Sequence, residues 1–338
     1  MPVNAFVPDN VDVLVVGAGP AGLAATNELV RAKASVLLVD AKKTIGSPLR
    51  CGELTRDHFF EIYGIEHRPE WVRWVLDFQW GKAPILNRER FEYHFANLLQ
   101  SQGAIVRKAT SVVAVSDFDG IGRKVTLLSH KRNYSVHARC IIAADGVSSR
   151  VAHLCGIDTY LSLDKIGSCL AYRIVNAKLA DSSHHVVRYL PNFFPFYFWV
   201  IPSGKDQANV GIVLPANKGF MVRRLLKKCI EESKEIKGGK IAQTIVGGYP
   251  ICTPLETPYS DGLLVTGTAA RLIERSVGEG IWQAAVSGKI AALLYQNLSA
   301  KPSTADRLSI YREKIDFIYN DLSAKWKKRQ ETYGGKTS

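Results

Sequence analysis

No two of the six cysteines, Cys51, Cys140, Cys155, Cys169, Cys229 and Cys252, stand in a CxxC pair. Scattered spacing of this kind offers neither a zinc site nor a disulfide framework. Most of them are expected to be reduced, buried, small hydrophobes. The eight histidines form no HExxH-type spacing either, so no metal site is expected. No apolar run is long enough to span a bilayer. The opening segment MPVNAFVPDN has neither the basic start nor the apolar stretch of a signal peptide, which points to a cytoplasmic protein. Repeats, low-complexity linkers and nucleic-acid-binding motifs are absent, so nucleic acid is not expected as a partner.

What is present is positive charge. The chain of 338 residues carries a formal net charge of +13. Short basic clusters lie at RRLLKK (223–228) and KWKKR (325–329). Dispersed charge of this sign keeps a protein in solution and attracts anionic substrates or an anionic membrane face. Hydrophobic residues make up 46% and charged residues 22%, ordinary for a globular chain with a substantial core.

The segment VDVLVVGAGPAGLAATNELVRAKASVLLVD reads as strand, glycine turn, helix and strand, a βαβ unit. LNRERFEYHFANLLQSQGA reads as a helix with Phe91, Phe95, Leu98 and Leu99 on one face and Gly103 at its end. Strands are expected at 104–115, 123–129 and 134–137, and again in ARCIIAADG. Between 165 and 250 the pattern becomes short, aromatic and β-branched: SCLAYRIV, HHVVRYL, FYFWVIP and QANVGIVL predict an antiparallel sheet. On such a strand His184 and His185 would point apart. FMVRRLLKKCIEESKEI interrupts that sheet as a helix, and DGLLVTGTAA is a further buried strand. GEGIWQAAVSGKIAALLYQNL predicts a long helix that begins at glycines. The tail has apolar residues at 308, 311, 315, 318, 322 and 326, which is helical spacing, and YGGKTS is expected to fray.

GAGPAG places Gly17, Gly19, Pro20, Ala21 and Gly22 between a strand and a helix. The first glycine permits the tight turn, the second lets backbone approach a pyrophosphate, and the third lets helix and strand pack closely. Unpaired N–H groups at the helix start face the phosphates. Asp40, followed by Ala41, ends the second strand, where a carboxylate accepts hydrogen bonds from a ribose. Dinucleotide binding follows from the unit as a whole; the choice of dinucleotide does not.

Two later stretches bear on that choice: CIIAADGVSSRVA, with Asp145–Gly146 at a strand end, and LLVTGTAARLIERSVGEGIWQAAV. With them the chain resembles FAD-dependent oxidoreductases of the para-hydroxybenzoate hydroxylase type over roughly 10–300. Those enzymes return late in the chain to the flavin with a GDAA-like motif. Thr268 stands where most relatives carry Asp, keeping a hydroxyl for the ribityl chain without the charge. Within that class the chain is similar to the geranylgeranyl reductase family, in particular its archaeal-lipid branch. Ile45, Gly46, Pro48, Arg50, Cys51, Gly52 and Glu53 match that family's loop after the second strand. Leu86, Asn87, Arg88 and Phe91 match its helix start, and Tyr197, Trp199, Ile201 and Pro202 its sheet motif, with Ile201 in place of an aromatic residue. YFWVIP is also close to the WxWxIP motif of flavin-dependent halogenases. A halogenase or monooxygenase acting on a small apolar or aromatic substrate is therefore the second reading. Halogenases need a lysine near the flavin, and Lys42 and Lys43 precede the Gly/Pro loop without matching it.

The resemblance implies an α/β fold of mixed α+β character. A Rossmann-like FAD-binding domain (10–160 plus 255–300) would carry an inserted antiparallel-sheet substrate domain (161–254) and a C-terminal helix (301–330). It implies FAD as cofactor and saturation of isoprenoid C=C bonds by hydride from the reduced flavin. The expected cofactor contacts are the residues of the glycine turn, Asp40, Ala41, Arg50, Cys51, Arg88, Asp145, Gly146, Gly267, Thr268, Gly278, Gly280 and Ile281. The N–H groups of Gly278, Glu279 and Gly280 would face the pyrimidine edge. Tyr197, Trp199 and Ile201 would line an apolar substrate channel. Cys51 and Glu53 are the candidate catalytic residues, with the proton donor open between them; Arg50 beside Cys51 would favour its thiolate. Implied partners are a prenyl-lipid substrate and an electron donor, NAD(P)H or ferredoxin-like. Peripheral membrane contact is considered for the terminal helix, with Tyr311, Phe317, Tyr319 and Trp326 beside KWKKR.

Overall fold

The computed structural model describes residues 7–79, 81–190, 194–298 and 301–334. The first six residues, Trp80 and the last four residues of the expected frayed tail lie outside them.

The βαβ unit forms as expected. β1 (Asn10–Val16) leads through the glycine turn into α1 (Pro20–Arg31), and β2 (Val36–Val39) returns parallel to β1 with Leu14 opposite Leu37. Strands covered on both faces become continuous apolar runs, which is how both read. β8 (Arg132–Ala143) lies on the other side of β1, with β15 (Leu263–Val265) beyond it and β5 (Ile105–Arg107) beyond β2, all parallel. β14 (Tyr259–Ser260) closes the β15 edge antiparallel. β6 (Thr110–Val115) and β7 (Arg123–Ser129) form a meander onto the first half of β8. The single strand expected at 104–115 is two strands: the chain turns at Ala109, whose φ is +49°, and β6 leaves the parallel sheet. Conversely, the strands expected at 134–137 and in ARCIIAADG are one, β8.

A second sheet of five strands is antiparallel throughout. Its order is β10 (Val186–Tyr189), β11 (Tyr197–Gly204), β12 (Gln207–Pro215), β9 (Ile166–Leu179) and β13 (Ile236–Pro250). His184 and His185 precede β10: His184 Nδ1 lies 2.7 Å from Asp181 Oδ2, and His185 packs on the Phe78 ring. α5 (Val222–Glu231) lies across this sheet, burying Val222 and Leu226. A hairpin with no counterpart in the sequence reading, β3 (Val72–Phe78) and β4 (Gly81–Leu86), packs against β11. It contributes Leu76 and Ile85 to the same core.

The remaining helices cover the parallel sheet. α2 (Phe59–Tyr63) and α3 (Arg88–Ser101) interlock through edge-on contacts of Phe59, Tyr63 and Phe91, with Phe95 and Leu99 also fully buried. Leu98 is only half-buried. Each large apolar side chain buried this way contributes roughly 1.5–3 kcal/mol. α4 (Arg150–Leu154) follows β8. α6 (Ile281–Leu298) runs against α1 so closely that a Cβ on Gly288 would sit 2.1 Å from the Ala21 carbonyl oxygen; only glycine fits there. The tail forms three helices rather than one: α7 (Ala305–Leu308), α8 (Ile310–Lys314) and α9 (Asp316–Arg329). Ile315, at φ −104° and ψ 7°, breaks the helical path, yet Leu308, Tyr311, Ile315, Ile318 and Leu322 all remain buried on one side. The apolar face of the tail thus covers the core. Among the described residues no helix is long and apolar enough to cross a membrane.

Candidate active site

The glycine turn is held by contacts that leave one side open. Gly17, at φ +102°, donates its N–H to the Val39 carbonyl at 2.8 Å. A Cβ on Gly22 would lie 1.8 Å from the Gly17 oxygen, so strand and helix require glycine there. Gly19 is different: a Cβ would meet only the Arg88 guanidinium, 4.0 Å away. That space, at the N-terminus of α1, suits a pyrophosphate. Asp40 accepts the Ala18 N–H at 2.7 Å and the Lys42 N–H at 2.8 Å, which fixes its carboxylate beside the turn; Ala41 is exposed.

Two buried polar side chains nearby lack partners. Asp145 accepts the Val151 N–H through one oxygen at 2.8 Å, while its other oxygen is buried without a partner. Burial pushes its pKa up, against the backbone N–H groups that favour the carboxylate. Gln283, in the first turn of α6, is fully buried with neither its amide oxygen nor its nitrogen bonded. Such orphans cost about 1–3 kcal/mol each, so a site with these groups fits a polar ligand of the flavin dinucleotide kind. Gly146 is open, with nothing within 4 Å of a Cβ. Gly267 is wedged instead between α1 and α6, near Ala21 and Ala284, with its N–H on Ser287. Thr268 is half-buried.

Cys51 packs against both hydrophobic cores. Its Sγ accepts the Glu53 N–H at 3.3 Å. The cation beside it is Arg88, not Arg50 as the sequence suggested. Arg50 is exposed, and only its backbone is enclosed, against Gly247 of β13. Arg88 starts α3, turns back to Glu92 with Nε at 2.7 Å from Oε1, and comes within hydrogen-bonding reach of the thiol. Burial opposes its charge, but Glu92 and Cys51 together outweigh burial and raise its pKa. Glu53, the other candidate, has a carboxylate that is 1% exposed and fully engaged. Oε1 accepts the Arg88 N–H at 3.1 Å; Oε2 takes Arg73 Nε at 2.9 Å and an Arg173 terminal nitrogen at 2.7 Å. Burial raises its pKa in spite of the two arginines. These contacts make Glu53 a positioning residue that ties the Cys51 loop to β3, β9 and α3.

The wall opposite is β11. Tyr197, Trp199 and Ile201 share one face, and the first two rings lie 5.7 Å apart. Trp199 donates to Asn209 Oδ1 at 2.8 Å, and Asn209 donates to the Cys51 carbonyl at 3.4 Å. A Cβ on Gly52 would lie 3.1 Å from Ile201, and one on Gly278 only 2.8 Å from the Tyr197 hydroxyl oxygen. The Cys51 loop, the aromatic strand and the loop before α6 therefore converge.

That last loop departs from expectation in one respect. Gly278 N–H is already bonded to the Glu274 carbonyl at 2.8 Å, closing a small hairpin, and Glu274 N–H bonds Glu279. Of the three donors expected to face the flavin, that of Gly278 is thus engaged within the hairpin, which the Glu274–Glu279 bridge closes. Gly280 itself packs on Ile273, and Ile281 begins α6, buried. The hairpin is pinned from outside. Glu279 takes Arg56 at 2.6 Å and Lys325 of α9 at 3.8 Å, while Arg275 stacks on Trp326 at 3.9 Å.

Sequence reasoning missed Arg73, Arg173 and Asn209, and the part played by the Glu279 carboxylate. The available signal was a charged or amide residue inside an apolar strand pattern, as in SCLAYRIV and QANVGIVL. Among the described residues no group of acidic, cysteine and histidine side chains could hold a metal ion.

The chain matches an FAD binding domain family over residues 55–232 and an NAD(P)-binding Rossmann-like domain over 15–73. It is 32% identical over 305 residues to a digeranylgeranylglycerophospholipid reductase of Methanosphaerula palustris, covering 83% of this chain and 75% of the relative. It is 34% identical over 313 residues to the enzyme of that name from Picrophilus torridus, covering 84% and 77%. Among solved structures, a geranylgeranyl bacteriochlorophyll reductase-like protein of Thermoplasma acidophilum superposes with a TM-score of 0.86 at 26% identity, over 94% of this chain and 87% of that one. A myxobacterial FAD-dependent halogenase, at TM-score 0.71 and 18% identity, shares the fold alone. With the glycine turn, the orphaned polar groups and the cysteine loop in place, the chain belongs to the digeranylgeranylglycerophospholipid reductase family of FAD-dependent oxidoreductases.

Proposed function

We propose that the protein saturates isolated C=C bonds of geranylgeranyl-type lipids. The observation that carries this reading is Cys51: a thiol lodged between the two cores, with the Glu53 N–H on it, Arg88 close by and the apolar wall of Tyr197, Trp199 and Ile201 beside its loop. An isolated alkene carries no carbonyl to polarise it, so a hydride must arrive together with a proton on the other carbon. Reduced FAD, when bound, supplies the hydride. Cys51 Sγ holds the proton, and the Glu53 N–H and Arg88 guanidinium are aimed where thiolate charge develops as it leaves. Glu53 does not compete for this role, because both its oxygens are bonded. The aromatic strand orients the chain of the substrate and excludes water. The electron donor is NAD(P)H or a ferredoxin-like protein, and a lipid substrate brings the protein to a membrane surface.

The test is anaerobic reduction of the FAD-loaded protein, followed by mass spectrometry of an added geranylgeranyl lipid. A gain of two hydrogens per reduced bond is expected, and halide incorporation instead would overturn the reading. Cys51→Ala should slow single-turnover flavin reoxidation by about a hundredfold or more, the usual size of a proton-transfer contribution. The flavin content should stay unchanged. Unaltered reoxidation would remove Cys51 from the mechanism.

A further inference from the structure

The tail buries Leu308, Tyr311, Ile315, Ile318 and Leu322 against the core and leaves Phe317 49% exposed; more strongly exposed apolar side chains lie elsewhere. One corner of the five-stranded sheet has them. Tyr160 is 78% exposed, Leu163 60% and Phe220 82%. Leu163 belongs to a single helical turn, Leu163–Lys165, just before β9; Phe220 belongs to a second, Ala216–Met221, just after β12. These two turns pack on one another, and Gly219 lies beside Ser168. Three large apolar side chains held mostly outward in and beside neighbouring turns carry a standing solvation cost unless something covers them.

Their surroundings indicate what does. Lys165 and Lys218 are exposed within the two turns, and α5 begins directly after Phe220 with Arg223, Arg224, Lys227 and Lys228 all on its outer side. Lys227 and Lys228 have i,i+4 partners in Glu231 and Glu232, whereas Lys218, Arg223 and Arg224 enter no ion pair among the described residues. Asp164 lies in the first turn and Asp158 just before Tyr160, fewer acidic residues than the four cations Lys165, Lys218, Arg223 and Arg224. An apolar tip ringed by cations is complementary to a surface that is negative outside and apolar beneath.

The corner also lies at the correct end of the sheet. Tyr197 begins β11, and Val213 pairs with Cys169, which pairs with Gly247. Two residues further on come Pro215, Gly167 and Tyr249, and there the two turns begin. From Cys169 back to Leu163 is six residues, at most about 20 Å of extended chain.

From this geometry we infer that Tyr160, Leu163 and Phe220 insert into an anionic lipid bilayer, with Lys165, Lys218, Arg223 and Arg224 over its headgroups, so that the substrate wall opens toward the membrane. The location rests on the lipid-reductase reading for its purpose, but its deciding readout is vesicle binding, not turnover. The FAD-loaded full-length protein is sedimented with vesicles of phosphatidylglycerol and phosphatidylcholine, and with phosphatidylcholine alone. Binding is expected only to the anionic vesicles and should weaken as salt rises. The variant Tyr160→Ser/Leu163→Ser/Phe220→Ser and the variant Arg223→Glu/Arg224→Glu should each lose about tenfold or more in partitioning. Flavin content, circular dichroism and reduction of detergent-dispersed substrate should remain unchanged. Wild-type partitioning by both variants, no binding of wild type to anionic vesicles, or a change of oligomeric state in the variants instead, would overturn the inference. Binding that disappears while detergent turnover persists separates this surface from the activity itself.

Discussion

At the scale of single residues, Glu53 is the most committed side chain in the site. It has a positive φ of 68°, almost no exposure, and bonds to Arg73, Arg173 and the start of α3. Removing one partner of a buried pair leaves the others uncompensated, a loss of about 3 kcal/mol or more. Glu53→Ala should therefore lower the urea midpoint by a corresponding amount, and an unshifted midpoint would show that the cluster contributes nothing to stability. None of this could be read from the sequence, because the partners stand 20 and 120 positions away. Cys51 was legible, since its loop is a contiguous motif. The cation that attends it was misread because Arg50 is adjacent in sequence while Arg88 arrives through the fold.

At the scale of elements, β11 and β12 show how a substrate wall is made from a sheet. Gly211 pairs with Trp199, and a Cβ there would lie 2.3 Å from the indole and 2.6 Å from the Cβ of Ala171. The glycine is the notch that lets the indole lie flat on the sheet and reach Asn209. Gly211→Ala should displace Trp199 and cost roughly 1–3 kcal/mol through overpacking. Quenching or a shift of the tryptophan emission, with a lowered denaturation midpoint, would report it; an unchanged spectrum would rule the notch out. The strands themselves were legible because β-branched and aromatic runs are local. The β3–β4 hairpin was not: Val72, Trp74 and Phe78 do not alternate cleanly with polar residues, and Gly81 is a weak turn signal. The broken tail likewise kept its helical spacing while Ile315 left the helical path.

At the scale of the whole molecule, the glycine turn, β8, β15 and α6 come from distant parts of the chain and surround one cofactor space with orphaned polar groups. A ligand that binds only the folded form at a hundredfold excess over its Kd adds about 2.7 kcal/mol of stability. Saturating FAD should raise the unfolding midpoint by a few degrees, whereas an equal midpoint with and without FAD would refute the fit. The βαβ pairing was legible from its contiguous motif; the order in which β8, β15 and β5 join it was not. What was not legible is that Arg56, Glu279, Lys325 and Asp321 knot three remote segments together behind the hairpin. That knot sets a timetable for synthesis. The phosphate-binding turn is synthesised well before the hairpin and the helix that lock it. A nascent chain therefore exposes the phosphate-binding turn before the groups that complete the cofactor space have been made.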